Sequence, residues 1–465
     1  MTTCIEHEFE TIDLGDERLN NRSRSLLKAL SANPQESINA ACDGWDESKA
    51  AYRLFDNPNV DSRQILAAHR TATLQRIQCE SVVCVAQDTT ELDYTTHPPE
   101  DVGCLNIAER RGLYNHSSIA LTPEKLCLGV LEIDLFDRSP ASLGLAKDRK
   151  SDPIEEKESY RWLQGYRACC ELTSHCPETQ IVSLADREGD IYDIFVEAEQ
   201  HETPAEFVIR NKQVRSLPEK DPSAGPQGYK KMREEVAGSE LVTTRQIELP
   251  ATAKRTARNA TLEIRAQRMT IKPPHARKHL LPEVTLSVVL VQEVGGPDDG
   301  TDLDWLLLSS LPVDDYQDVL RIIDYYVARW PIEIFFRVLK SGCRVEEIQL
   351  ETKARLNRAL MFYHVIAWRI MFVTFLGREC PQLPCDVVFS EEEWKSVWRI
   401  TEQEPPPQKT PTLSEFIPVL AQLGGYNRRK QDGPPGTETL WRAMRRMFDF
   451  AIAWKAFGPD NRKTT

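Results

Sequence analysis

The segment YVARWPIEIFFRVLK holds the densest set of residues able to do chemistry, with Tyr326, Arg329, Glu333 and Lys340 at spacings of three, four and seven. On one unbroken helix these four fall within a wedge of about 60°. One face then carries a phenol, two cations and a carboxylate beside an apolar stripe of Ile323, Val327, Trp330, Ile334 and Val338. That composition suits a phosphate-handling site set against a core. Pro331 qualifies the picture, because it lacks the N–H that would bond the Val327 carbonyl and it biases Trp330 away from helix. Either the helix kinks at Pro331, or it starts there and a preceding segment delivers Tyr326 and Arg329.

Two aspartates extend the set. Asp88 is expected to end the strand VCVAQD, and Asp186 to end the strand IVSLAD. Strand ends are where α/β sheets place ligands. With Glu333 they make the acidic trio that binds two divalent ions. Three carboxylates about 5 Å apart repel by roughly 3 kcal/mol per pair at an effective dielectric near 20, so such a trio needs cations. Oxygen donors favour Mg²⁺, with Mn²⁺ as substitute, and no His/Cys set speaks for zinc. Two such ions activate a water or a 3′-hydroxyl and stabilise the leaving oxygen of a phosphodiester.

The elements that must position these residues follow from hydrophobic period. Residues from Leu14 to Leu66 read as helical, with LNNRSRSLLKALSANP and AAYRLFDNPNV as amphipathic segments. The period then changes. SVVCVAQD, NHSSIALTP and KLCLGVLEIDLFD read as strands, followed by a helix at EKESYRWLQGYRACCEL, a strand at QIVSLAD, a helix at DIYDIFVEAEQH and a strand at AEFVIRNK. This order predicts a mixed α/β sheet with helices packed on it. LVTTRQIELP, ATLEIRAQRMTI and EVTLSVVLVQEV then form a β-rich insertion that closes on the acidic loop GGPDDGTD. DWLLLSSLPV returns as a strand before the glutamate-bearing segment, and the remainder is almost wholly helical. The divisions expected are 1–70 helical, 71–212 the first part of the α/β core, 213–302 the insertion, 303–375 the second part of the core and 376–465 a helical tail.

Composition bounds the function. The 465 residues are 41% hydrophobic and 28% charged, as in an ordinary globular protein, and exceed what one core accommodates. A net charge of −13 argues against a protein that simply coats DNA. The stretch from Arg210 to Lys278 is nevertheless locally basic and reads as either a polyanion-binding face or a solvated, charge-rich surface. The 12 cysteines contain no CxxC pair, and several lie in apolar runs, which points to a reducing cytosol. No secretory leader is read at the N-terminus. The apolar stretch from Arg358 to Gly377 carries Arg358, His364 and Arg369, which fits a packed helix better than a membrane span, so no membrane partner is expected.

QDTT with Asp88, ADREGDIY with Asp186, and Tyr-x2-Arg-x3-Glu-x6-Lys from Tyr326 to Lys340 together resemble the DDE transposases of the insertion-sequence-four (IS-four) family with its YREK pattern. The resemblance implies an RNase H-like catalytic core with an inserted β-rich subdomain, flanked by an N-terminal helical DNA-binding domain and a C-terminal helical domain. It implies Asp88, Asp186 and Glu333 as the metal-binding triad, and Tyr326, Arg329 and Lys340 as holders of the terminal phosphates and nucleotides. Arg210, Lys212 and Arg337 fall among DNA-contacting basic residues, and Arg18 and Arg22 in LGDERLNNRSRS at positions suited to reading bases. Trp305 matches a tryptophan that stacks on a flipped base, and Trp330 a second aromatic near it, unless each is a core side chain. The implied partners are double-stranded DNA, as transposon ends and target, and a second copy of the chain paired through the helical tail.

The expected function is therefore a cytosolic, bacterial-type DNA transposase. It would bind terminal inverted repeats and carry out nicking, hairpin formation, hairpin opening and strand transfer with Mg²⁺. The rival readings are a catalytically inactive or inhibitory relative and a two-metal nuclease or resolvase. A scaffold of packed helices accounts for neither the acidic trio nor the basic insertion.

Overall fold

The computed structural model describes residues 5–42, 44–144, 152–221, 223, 228–249, 256–297, 301–429 and 431–458. Lys254 and Arg255 of the basic stretch, and residues 298–300 of the GGPDDGTD loop, lie outside these. In chain order the elements are helices α1 (Glu17–Ala32), α2 (Ile38–Ala41), α3 (Trp45–Asp56) and α4 (Ser62–Ile77), then strands β1 (Val82–Asp93), β2 (Gly112–Leu121) and β3 (Cys127–Phe136). There follow α5 (Tyr160–His175), β4 (Gln180–Ala185), α6 (Tyr192–Gln200), β5 (Glu206–Arg210), β6 (Ser216–Lys220), β7 (Tyr229–Lys231), α7 (Met232–Ala237), β8 (Leu241–Leu249), β9 (Arg258–Ile271), β10 (Val284–Val294) and β11 (Asp304–Ser309). The rest is helical: α8 (Tyr316–Val327), α9 (Pro331–Arg337), α10 (Lys353–Glu379), α11 (Glu391–Thr401), α12 (Leu413–Gln422) and α13 (Thr437–Phe457). This is the mixed α/β class with helical ends that the sequence predicts.

The chain divides into two compact units, one comprising Met1–Cys79, Thr89–Leu143 and Pro331–Thr465, the other Glu80–Asp88 and Gly144–Trp330. In the first, α10 is the central element. It is long and apolar enough to cross a membrane, but its apolar window is wholly buried inside the fold, against α1, α3, α4 and β3 among others. Local chemistry sets the flanking helices. Ser390 with Glu393 and Thr412 with Glu415 form reciprocal capping boxes that start α11 and α12.

A buried polar network ties the N-terminal segment to this core. The Glu8 carboxylate accepts from Arg76 Nη1 at 2.8 Å and from His69 Nδ1 at 2.5 Å, while His69 Nε2 accepts the Val130 N–H at 3.0 Å. The Arg76 guanidinium lies 4.4 Å from the Trp368 ring, whose Nε1 donates to the Cys127 carbonyl. Burial alone would raise the Glu8 carboxyl, but His69 and Arg76 outweigh it and hold it down at about 2. Burial also pushes the His69 imidazole down.

Among the described residues the main sheet of the second unit runs β1-β4-β5-β11-β10-β9-β8, with β6 and β7 pairing apart from it, and in the first unit the order is β3-β2-β1. β1, β4 and β5 are parallel, whereas β5, β11, β10, β9 and β8 pair antiparallel in succession. The arrangement is consistent with the RNase H-like core that the resemblance implies. The strands expected as an insertion, β8 to β10, continue this same sheet: β10 pairs with β11 through six residues, from Ser287↔Ser309 to Gln292↔Asp304.

One sequence expectation needs correcting, and one alternative left open at Pro331 is decided. Asp88 does not end its strand, since β1 runs on to Asp93; the β-branched Thr89 and Thr90 sustain the extended chain beyond it. The segment from Tyr326 to Lys340 is not one helix. α8 ends at Val327, Arg329 and Trp330 make only short-range bonds to the Tyr326 and Val327 carbonyls, and α9 starts at Pro331, which has no N–H to give. After Arg337 the backbone then widens into a π-helical turn, Val338–Gly342, which carries Lys340.

Glu8→Gln is expected to cost about 3–5 kcal/mol by leaving Arg76 without its buried anion, read as a fall in the chemical or thermal unfolding midpoint. In the native chain the Glu8 contribution is present above the ordinary carboxylate range and is lost as pH falls through its lowered value, so the variant's deficit should shrink toward pH 2.

Candidate active site

The site in the second unit is built on strand register. β1 and β4 pair from Val82↔Gln180 to Ala86↔Leu184, and β4 and β5 pair from Val182↔Glu206 to Ala185↔Ile209. The three parallel strands therefore bring Asp88, Asp186 and Arg210 to the same end of the sheet, Asp88 and Arg210 on β1 and β5 and Asp186 directly after β4. Neighbouring strands lie about 4.8 Å apart, and residues in parallel register share a face. Asp186 itself keeps extended backbone, and its side chain accepts the Glu188 N–H at 2.7 Å, which caps the tight turn that follows β4.

Cations and rings surround these residues. Arg329, 5% exposed, donates from Nη1 to Asp88 Oδ2 at 2.9 Å. Arg210 donates to the Asp304 carbonyl at 3.0 Å and lies against the Tyr326 hydroxyl. Tyr326 is 1% exposed. Burial pushes its hydroxyl up, against the opposing pull of Arg329 and Arg210, with Asp186 adding to the rise. Its ring meets Trp305 edge-on at 5.3 Å, and Trp305 stands 6.1 Å from Trp330. Trp330, on the predicted apolar stripe, is instead 41% exposed, with the Arg329 guanidinium 5.6 Å from its ring. The break before Pro331 explains this, because Trp330 no longer follows the helical phase of Ile323.

Smaller residues hold these strands in place. Gln87, buried next to Asp88, donates from Nε2 to Ser183 Oγ at 3.0 Å and so bonds β1 to β4 just before both aspartates. α5 reaches this point only because residue 165 is glycine: a Cβ there would stand 2.1 Å from Gln87 Oε1. Residue spacing singled out neither of these nor Asp190, and it placed Arg215 only within the basic stretch. A glutamine flanking a strand aspartate and a second aspartate four residues after Asp186 were the available signals.

The remaining expected residues are distributed as follows. Glu333 and Arg337 are exposed on α9, in the first unit. Lys340, in that unit also, donates from Nζ to the Glu91 carbonyl at 2.8 Å and lies 3.2 Å from Glu346 Oε1, whose oxygen accepts the Asp93 N–H. Arg18 is exposed and Arg22 half-buried on α1. Lys212 is exposed on the loop after β5. Among the described residues no three His, Cys, Asp or Glu side chains gather closely enough to hold a metal ion.

The basic stretch is largely neutralised within its own unit. Arg258 pairs with Glu293, Arg277 with Asp193, Arg233 with Asp304, Arg245 with Asp324 and Lys230 with Glu235. It is a paired surface rather than a continuous cationic face. What it retains is a cleft of about 420 Å³ at the end of β5, where Arg187, Arg210, Lys212, Arg215, Lys231 and Arg233 face Glu234 and Asp304.

The comparisons with known proteins bear on both ends of the chain. A family model described as transposase DNA-binding matches residues 1–60, and one described as the transposase Tn5 dimerisation domain matches residues 365–455. Asp88, Asp186 and Glu333 lie outside both matches. Among solved structures the chain is similar to a piggyBac transposase in a synaptic complex with hairpin DNA, at 10% identity over 93% of this chain and 76% of that one. With a TM-score of 0.33, that likeness carries no argument.

The turn after β4 leaves no room for a side chain at Gly189, where a Cβ would stand 2.4 Å from that of Ala185 and 3.0 Å from the Trp162 ring. Gly189→Ala is expected to destabilise by about 1–3 kcal/mol through overpacking, measured by thermal unfolding.

Proposed function

We propose that this chain, a Tn5-like DNA transposase of the IS-four kind by its two terminal domains, cuts and joins DNA with Asp88, Asp186 and Glu333 as ligands of two Mg²⁺ ions. The observation that carries this reading is the gathering of Arg329, which bonds Asp88, with Arg210 and Asp186 around the buried Tyr326 hydroxyl, and the Trp305 and Trp330 rings beside it. Glu333 is the third carboxylate by the family resemblance. An all-carboxylate donor set fits a hard divalent cation. When bound, such ions make a water or a 3′-hydroxyl nucleophilic and stabilise the leaving oxygen.

The chain's own residues supply the rest. Arg329, Arg210 and Lys340 offer cations to backbone phosphates, with Lys212 and Arg337 as further contacts, and Arg18 and Arg22 read the transposon end from α1. The half-exposed Trp330 with Trp305 behind it offers a stacking surface for an unpaired base, worth about 1–3 kcal/mol. In the sequence of steps proposed, water cleaves one strand and frees a 3′-hydroxyl. That hydroxyl attacks the opposite strand to close a hairpin, a second water reopens it, and the released 3′-hydroxyl attacks target DNA.

Asp186→Ala or Glu333→Ala is expected to abolish Mg²⁺-dependent nicking of a supercoiled plasmid bearing the element's ends while gel-shift binding to those ends persists. Full cleavage by either variant would sink the mechanism. Robust cleavage by the native chain with no joined products would favour the nuclease reading, and end binding with no cleavage in Mg²⁺ or Mn²⁺ the inactive relative.

The dimer of the proposed complex is supported by α13, which leaves Ile452 and Phe457 exposed at 64% and 87%. Ile452→Asp combined with Phe457→Asp is expected to shift the chain from dimer to monomer in sedimentation analysis, without lowering its unfolding midpoint.

A further inference from the structure

Asp190 is 6% exposed, yet its carboxylate gathers donors from one short loop. Oδ2 accepts from Asn211 Nδ2 at 3.0 Å and from the backbone N–H groups of Lys212 and Gln213, each at 2.7 Å. Oδ1 takes the Arg215 guanidinium, itself buried, which lies 5.0 Å from the Phe195 ring and 5.6 Å from that of Tyr192. A buried carboxylate is tolerated only with this degree of satisfaction. These donors all lie within residues 211–215, and all four donor residues line the basic cleft.

The consequence is directional. The loop leaves β5 directly after Arg210, and on its own a stretch of Asn, Lys, Gln and Val has no pattern that holds one conformation. Bonding the amides of Lys212 and Gln213 to one carboxylate fixes the backbone under the exposed Lys212 side chain. Arg215, clamped by the same group, closes the loop's far end.

We infer that Asp190 is a positioning residue for DNA: it holds the loop 211–215 so that Lys212 meets a backbone phosphate at the cleft. The inference rests on the DNA-binding reading above and goes beyond it in assigning Asp190 a role exercised through the loop and not through the metal ligands.

The test is a double-mutant cycle on the full chain, with a fluorescein-labelled duplex of mixed sequence titrated in the absence of divalent metal and at several salt concentrations. Lys212→Ala is expected to weaken binding about fivefold and to reduce the slope of log K against log salt by about one. In an Asp190→Ala background the same substitution should change affinity by less than about twofold, because the lysine is no longer held in place. Asp190→Asn serves where the alanine variant does not fold; it removes the charge facing Arg215 while keeping an acceptor for the loop amides, and should give intermediate coupling. Thermal unfolding of each variant shows that all are folded at the titration temperature. If Lys212→Ala costs the same in every background, Asp190 is merely structural and the inference falls while the proposed function stands. It also falls if native binding is indifferent to Lys212→Ala. If the native chain does not bind the duplex, the proposed function falls and takes the inference with it.

Discussion

Parallel register is the constraint on which the second unit depends. β1, β4 and β5 pair with constant offsets, which brings Asp88, Asp186 and Arg210 to one end of three neighbouring strands. A slip of one residue in either pairing would turn a strand's side chains to the opposite face of the sheet. Two carboxylates about 5 Å apart repel by roughly 3 kcal/mol at an effective dielectric near 20, so such a pair also requires nearby cations. Arg329 on Asp88 and Arg210 at the end of β5 answer that requirement with side chains held by the protein. The Gln87 to Ser183 bond and the missing side chains at Gly165 and Gly189 all serve to keep these strands and the turn after β4 in place.

The electrostatics reconcile an acidic chain with a polyanionic partner. Net charge is −13, and most cations of the basic stretch are matched by acids of the same unit. The unit therefore presents little long-range attraction to a polyanion from that surface. One cleft of that unit keeps Arg187, Arg210 and Lys212 together at the ends of neighbouring strands. Charge arranged this way favours local engagement of phosphates over indiscriminate coating.

Much of this was legible from the chain. The apolar runs through Cys84, Val182 and Phe207 read as strands, and these three residues are buried, as in a parallel sheet covered on both faces. Amphipathic helices at either end followed from 3.6-residue spacing. One local reading failed and another was left for the fold to decide. Asp88 looked like a strand terminus because aspartate is a turn residue, but β1 continues through Thr89 and Thr90 to Asp93. Around Glu333 the spacing is helical on both sides of Pro331, and of the two arrangements that proline leaves open the chain takes the break, with α9 starting at Pro331. Tyr326 and Arg329 are consequently buried while Glu333 is exposed, a difference that a single helical face does not predict.

By itself the sequence determined the residue types of the carboxylate set, the order of the elements and the interruption at Pro331, because each is set by side-chain chemistry or by neighbours within a few positions. Only the tertiary structure decided which strands pair and in what register, which cations face which acids, and that Asp190 governs a loop more than 20 residues away. Those outcomes come from contacts between segments remote in the chain. Their energy depends on burial and hydrogen-bond satisfaction in three dimensions, and no local pattern of residues records it.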